Sequence, residues 1–133
     1  MRAISQALLA IALTLSTKSS AEELTNKWTT TEVVLESVYQ LTMLVDWSQT
    51  LFIVEAQQNP DKYNKYYTET NYLLGRRPSR GLVNLYMISS MLVHFGVSYI
   101  LPHKYRILYQ SCTLGFQLAI INNNIRCGVR MRF

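Results

Sequence analysis

Long apolar runs alternate with short polar breaks along this chain. Leu82 to Leu101 is the strongest run, and no Lys, Arg, Asp or Glu occurs between Gly81 and His103. Its length fits a membrane span, with a mean hydropathy at the margin for one. Val33 to Val54 is a second run, rich in Val, Leu and Ile, but it carries Glu36, Gln40, Asp46, Gln49 and Thr50. Ile107 to Ile121 is a third and shorter run. Length and the lack of internal proline predict a helix for each. The breaks carry turn chemistry: Asn59-Pro60-Asp61, Arg77-Pro78-Ser79-Arg80-Gly81 and Leu101-Pro102-His103. Asn122-Asn123-Asn124 predicts the end of the third helix. Beyond it, Ile125, Cys127, Val129, Met131 and Phe133 alternate with Arg126, Gly128, Arg130 and Arg132. That is the period-two pattern of a strand, although a frayed basic tail is the first reading and a strand the alternative. One strand makes no barrel, although it suits pairing with a partner's sheet edge.

The first 21 residues read as a secretory signal. Arg2 gives a positive start, Ala7 to Leu15 an apolar stretch, and Ser19-Ser20-Ala21 a small-residue cleavage site. The stretch is too short to cross a bilayer, which takes about 20 apolar residues. Cleavage after Ala21 leaves residues 22–133 as a single domain and removes Arg2 and Lys18, so the formal charge of +5 overstates the basicity of the mature chain. An uncleaved anchor is the alternative.

Composition narrows the class. The chain has 133 residues, room for one domain, and is 49% apolar and 16% charged. That is too apolar and too poor in charge for a disordered chain. Two cysteines, Cys112 and Cys127, rule out a disulfide scaffold; Cys112 reads as a small packing residue. Charge also bears on topology. With three spans and an exported N-terminus, the inner segments hold Lys62, Lys65, Arg76, Arg77, Arg80, Arg126, Arg130 and Arg132, against Lys27, Lys104 and Arg106 outside. This asymmetry satisfies the positive-inside rule. The expected fold is therefore all-α: a signal peptide, then a three-helix transmembrane bundle in the bacterial inner membrane. A soluble periplasmic helical module is the competing reading.

Each predicted helix carries a polar stripe. Tyr39, Thr42, Asp46, Gln49 and Thr50 share one face of the first; Asn84, Met87, Met91, His94 and Ser98 one face of the second; Gln110 and Gln117 one face of the third. Asp46, Gln49, Thr50, Asn84, His94 and Gln117 are thus candidates for a common polar interior, where such groups must find partners within the bundle. A carboxylate at membrane depth is a functional candidate by default. Asp46 sits about 12 Å and His94 about 18 Å from the inner end of their helices at 1.5 Å per residue. A proton relay between them is one reading, and a hydrogen-bond network that fixes packing is the other. No spacing suits a metal, and no cofactor is implied. Ser79 and Ser90 lack the strained turn of a hydrolase nucleophile. Arg76, Arg77 and Arg80, preceded by Tyr63, Tyr66, Tyr67 and Tyr72, read as a membrane-interface surface facing anionic headgroups. Too few basic residues interleave with aromatics to suggest nucleic acid.

In the loop, Glu69 and Asn71 can bond exposed backbone groups, Gly75 permits a positive φ, and Pro78 biases the chain away from helix before it. Glu69, Asn71, Gly75 and Pro78 are expected to form a cap over the interior. The ordered series Asp46-Trp47-Ser48-Gln49-Thr50, Glu69-Thr70-Asn71-Tyr72-Leu73-Leu74-Gly75, Pro78-Ser79, Asn84-Leu85-Tyr86, His94, Leu101-Pro102 and Arg106 resembles small uncharacterised membrane proteins of bacteria, phages and prophages with a D-x-x-Q-T … E-x-N-x-x-L-G-x-x-P-S pattern. The resemblance covers about residues 40–130, with Tyr72 where that pattern favours Pro. It implies a compact, polar-lined helical membrane unit, phage-encoded in some cases. The expected role is binding other membrane or phage components, as an exclusion, lysis-accessory or virion-associated factor. Membrane lipid and a protein partner or second copy are the expected contacts. An intramembrane enzyme or proton-coupled element using Asp46 and His94 is the alternative.

Overall fold

The computed structural model describes residues 27–63 and 67–131. The signal segment read from residues 1–21 lies outside them, as do Lys65, Tyr66, Arg132 and Phe133. The described residues form four helices: α1 (Thr30–Gln58), a single turn α2 (Pro60–Tyr63), α3 (Arg80–Ile100) and α4 (His103–Arg126). The architecture is an all-α bundle of three long helices, with α1 central and packed along both α3 and α4.

Local chemistry explains where each helix starts. Thr29 caps α1: its hydroxyl accepts from Glu32 N at 3.3 Å, and Glu32 Oε2 accepts from Thr29 N at 2.7 Å. This reciprocal capping box satisfies two backbone donors that a helix start leaves orphaned. Ser79 caps α3, its hydroxyl accepting from Leu82 N at 3.2 Å, which gives that serine a structural task. Pro102 separates α3 from α4 by only two residues.

At the C-terminus one expectation fails, and so does the strand alternative for the tail. The asparagine run does not end the last helix; α4 continues to Arg126. Asn124 is held there by a tertiary contact, its side-chain amide donating to Asp46 Oδ1 at 3.2 Å and Gln49 Oε1 at 3.0 Å. The alternating tail is not a strand, and none occurs among the described residues. Gly128 instead turns the chain at φ 80°, with Gly128 N donating to Ile125 O and Val129 N to Asn124 O. This is a Schellman motif, which left-handed glycine permits without Cβ strain. It swings Val129 into a buried cluster with Phe52, Ile53 and Ala56, over which the Tyr67 hydroxyl donates to Gly128 O at 3.1 Å. Cys112, read from the sequence as a small packing residue, is instead exposed on α4.

The loop from 67 to 79 closes one end of the bundle. Glu69 Oε1 accepts from Asn71 N at 2.8 Å, Asn71 Oδ1 accepts from Leu73 N at 3.0 Å, and Gly75 has φ 74°. Leu74 and Pro78 are buried beneath it, Leu74 joining Tyr39, Met43, Val54, Val83 and Met87. Gln57 pins the loop by donating to Tyr67 O and Arg76 O.

Replacing Gly128 with Ala should destabilise the chain by about 1–2 kcal/mol, the penalty of a Cβ in the left-handed region. Thermal unfolding of full-length Gly128→Ala against the parent, with exposed Ser37→Ala as control, measures it; an unchanged midpoint would show that the turn contributes nothing.

Candidate functional site

The interior is where the chain places its charge. Every acidic residue of α1 is buried: Glu32, Glu36, Asp46 and Glu55. At the end away from the loop, Glu32 and Glu36 stand one turn apart and form a polar clasp across all three helices.

Each of these carboxylates is fully occupied. Glu32 Oε2 accepts from the Thr29 amide at 2.7 Å and the Thr29 hydroxyl at 2.9 Å. Its Oε1 accepts from His103 Nδ1 at 3.0 Å and Arg106 Nη1 at 3.1 Å. Glu36 Oε1 accepts from Gln40 Nε2 at 2.7 Å and His94 Nδ1 at 3.1 Å. Its Oε2 accepts from Ser98 Oγ at 3.0 Å and Gln110 Nε2 at 3.1 Å. Four donors fill the roughly four lone-pair positions of an ionised carboxylate.

Arg106 completes the clasp for a reason written in the turn beside it. Pro102 has no N–H, so the carbonyl four residues before it, Ser98 O, cannot receive its helical bond. Arg106 Nε donates to that oxygen at 2.7 Å, and Nη2 donates to Leu101 O at 2.8 Å. The guanidinium also lies 5.0 Å from the centre of the Trp28 ring. One fully buried cation thus neutralises Glu32 and satisfies the Ser98 carbonyl of α3 and that of its C-cap, Leu101.

His94 is enclosed. An ionised carboxylate only accepts, so Nδ1 is the donor to Glu36. Nε2 faces the Thr113 hydroxyl at 2.8 Å. Tyr39 stacks on one side at 3.5 Å between ring centres and Tyr109 lies at 4.8 Å. Both ring nitrogens are engaged and both aromatic neighbours are close, which leaves this histidine positioned for packing.

The second interior feature is a cavity of about 490 Å³ between the helices, near the loop. Asp46 and Thr50 line it from α1, Tyr86 and Met87 from α3, Gln117 and Asn124 from α4, and Glu69 and Asn71 from the loop. Asp46, Glu69 and Gln117 are each at least nine-tenths buried. Glu69 Oε2 is buried with no hydrogen-bond partner.

Of the residues singled out from sequence, Asp46, Gln49, Thr50, His94 and Gln117 are buried in the interior. Asn84 is exposed, its Oδ1 accepting from Trp47 Nε1 at 2.9 Å. The carboxylate on His94 is Glu36, and Asp46 belongs to the cavity instead. Glu69 and Asn71 reach the cavity from the loop; Arg76, Arg77 and Arg80 are exposed and do not line it, Arg80 reaching Glu55 at 3.5 Å. Sequence reasoning missed Glu32, Glu36, Arg106, Thr113 and Asn124. The pattern Thr29-Thr30-Thr31-Glu32 was a capping-box signal for the first of these. Among the described residues no group of three or more His, Cys, Asp or Glu could hold a metal ion. Comparison with known protein families, with curated proteins and with solved structures finds no match.

Arg106→Ala should cost about 3–5 kcal/mol, the usual loss when one partner of a buried ion pair is removed. Arg106→Met combined with Glu32→Gln should recover only part of this, because Ser98 O stays without a donor. Unfolding midpoints of the single and double variants measure both effects, and full recovery in the double variant would contradict the role given to that carbonyl.

Proposed function

We propose that this chain is a small integral membrane protein of the bacterial envelope that acts by binding other membrane or phage components. The observation that carries the reading is an inverted distribution of polarity. Along 33–57, 81–102 and 107–125 no exposed side chain is charged. Val33, Val34, Val38, Leu41 and Leu44 face outward on α1. Leu85, Ile88, Leu92, Val93, Phe95 and Ile100 do so on α3, and Leu108, Phe116 and Leu118 on α4. A water-soluble bundle places these faces inward and its carboxylates outward.

Length agrees. At 1.5 Å per residue α1, α3 and α4 extend about 43, 31 and 36 Å, against a hydrocarbon core of about 30 Å. Among the described residues α3 is the helix long and apolar enough by composition to cross a membrane, with a mean hydropathy of 1.3. Only 22% of that apolar window is buried, whereas the core helix of a soluble protein is mostly buried. In α1 and α4, Glu36, Asp46, Gln110 and Gln117 all face inward. Exposed cations sit at the two ends: Lys62, Arg76, Arg77, Arg80, Arg126 and Arg130 at the loop end, Lys27 and Lys104 at the other. That bias favours the loop end as cytoplasmic.

The clasp supports a structural and binding reading of His94 over the proton-relay alternative. Its carboxylates and His94 are saturated by protein groups, so no reacting atom of a substrate has a place beside them. His94→Ala is therefore expected to lower the amount of folded protein.

Fractionation of the expressed full chain tests the reading, and recovery in carbonate-resistant inner membrane is expected. The two natural cysteines add a second readout. Cys112 lies on the outward face within 107–121, and Cys127 just beyond the end of α4. In inside-out vesicles a charged maleimide should label Cys127 and spare Cys112. Recovery as a soluble protein, or equal labelling of both cysteines, would overturn the proposal.

A further inference from the structure

We propose that the cavity between Asp46 and Glu69 is a binding site for a primary ammonium group carried on a short organic chain. The argument starts from the charge balance of the buried acids. Glu32 pairs with Arg106 at 3.1 Å and Glu36 with His94 at 3.1 Å. Glu55 pairs with Lys62 and Arg80, each at 3.5 Å. Among the described residues, Asp46 and Glu69 are the buried acids with no basic side chain within ion-pair distance. Both line the same cavity, and none of its described lining residues is Lys, Arg or His.

An independent observation points into that space. Glu69 Oε1 is used by Asn71 N at 2.8 Å, while Oε2 is buried and unpartnered; in the same lining the Gln117 Nε2 donor is also buried and unpartnered, so an occupant that brings an acceptor beside its ammonium suits both. Leaving a buried acceptor unsatisfied is costly, and for a charged group more so. A donor that enters the cavity removes that penalty at Glu69 and supplies the positive charge that Asp46 also lacks.

The walls select the class of cation. Tyr39, Tyr86 and Phe116 with Met43 and Met87 line the same cavity. Aromatic faces attract an ammonium and its adjacent methylenes. A volume of about 490 Å³ lies in the range of small-molecule sites and leaves a bare metal ion mostly uncontacted. The rim is open at Thr70 and Phe116, both exposed. Phe116 belongs to the outward apolar face, so an ammonium-bearing lipid headgroup and a free amine share the required chemistry. The site itself stands on the cavity and does not depend on how the helices meet a bilayer.

The test is calorimetric titration of the purified full chain in a non-ionic detergent with n-butylammonium chloride. Saturable binding is expected, at least tenfold tighter than 1-butanol and absent for sodium or magnesium chloride at matched ionic strength. Glu69→Gln and Asp46→Asn should each weaken it at least tenfold, and Asp61→Asn, an exposed acid outside the cavity, should not. Repeating the titration in phosphatidylethanolamine and phosphatidylcholine nanodiscs assigns the source. Weaker n-butylammonium binding in the former identifies the lipid headgroup, and equal binding identifies a free amine. No saturable binding, binding of butanol as tight as butylammonium, preference for magnesium, or unchanged binding in both carboxamide variants overturns the proposal. Should the variants not fold, the comparison of butylammonium with butanol on the parent chain decides.

Discussion

The structure depends on neutralising one buried cation. Arg106 is drawn inside because Pro102 removes a donor from the end of α3, and an orphan carbonyl in a dry interior needs a replacement. The guanidinium that fills this role brings a charge with it, and that charge must be met by Glu32 at the start of α1. The same carboxylate caps its own helix through Thr29. A covalent fact about one residue, the missing N–H of a proline, therefore fixes the axial register of α1 against both neighbours. Glu36, one turn deeper, repeats the arrangement with His94, Ser98 and Gln110.

This arrangement inverts the usual source of cohesion. On the membrane reading proposed above, the outer faces are as apolar as their surroundings, so burying more apolar surface between helices would contribute little, and packing and hydrogen bonds would hold the bundle. The apolar residues that do pack inside are gathered under the loop, around Val83, Met87, Phe52 and Val129. The two ends of the bundle are thus held differently: one by charge and hydrogen bonds, the other by side-chain packing beneath a pinned loop. The cavity lies toward the second end, where α1, α3, α4 and the loop all contribute a wall.

Much of the frame was legible in the chain. Three apolar runs and their proline breaks mark the three long helices, because periodicity and turn chemistry act over a few residues. The inward face of α1 was legible for the same reason, since Tyr39, Asp46, Gln49 and Thr50 recur at helical spacing. The pairings were not. Glu36 finds His94 and Gln110 at separations of 58 and 74 residues, and Arg106 finds Glu32 at 74. Nothing local announces such partners; Arg106 reads as one more charge in a topology count. The asparagine run misled because turn propensity is weak beside a tertiary bond, and Asn124 has two. The alternating tail misled because Gly128 imposes a left-handed turn that a hydrophobicity pattern does not encode.

The two-residue link between α3 and α4 has a consequence for assembly. α3 and α4 form a hairpin in sequence, and Arg106 can reach Ser98 O and Leu101 O within that hairpin alone. Its charge, however, is balanced by Glu32, a residue 74 positions earlier that is already synthesised when the hairpin emerges. The hairpin can shed water from its arginine only against a finished α1. The hairpin taken alone would thus carry an unmatched buried arginine, and α1 taken alone an unmatched Glu32, so each is complete only against the other.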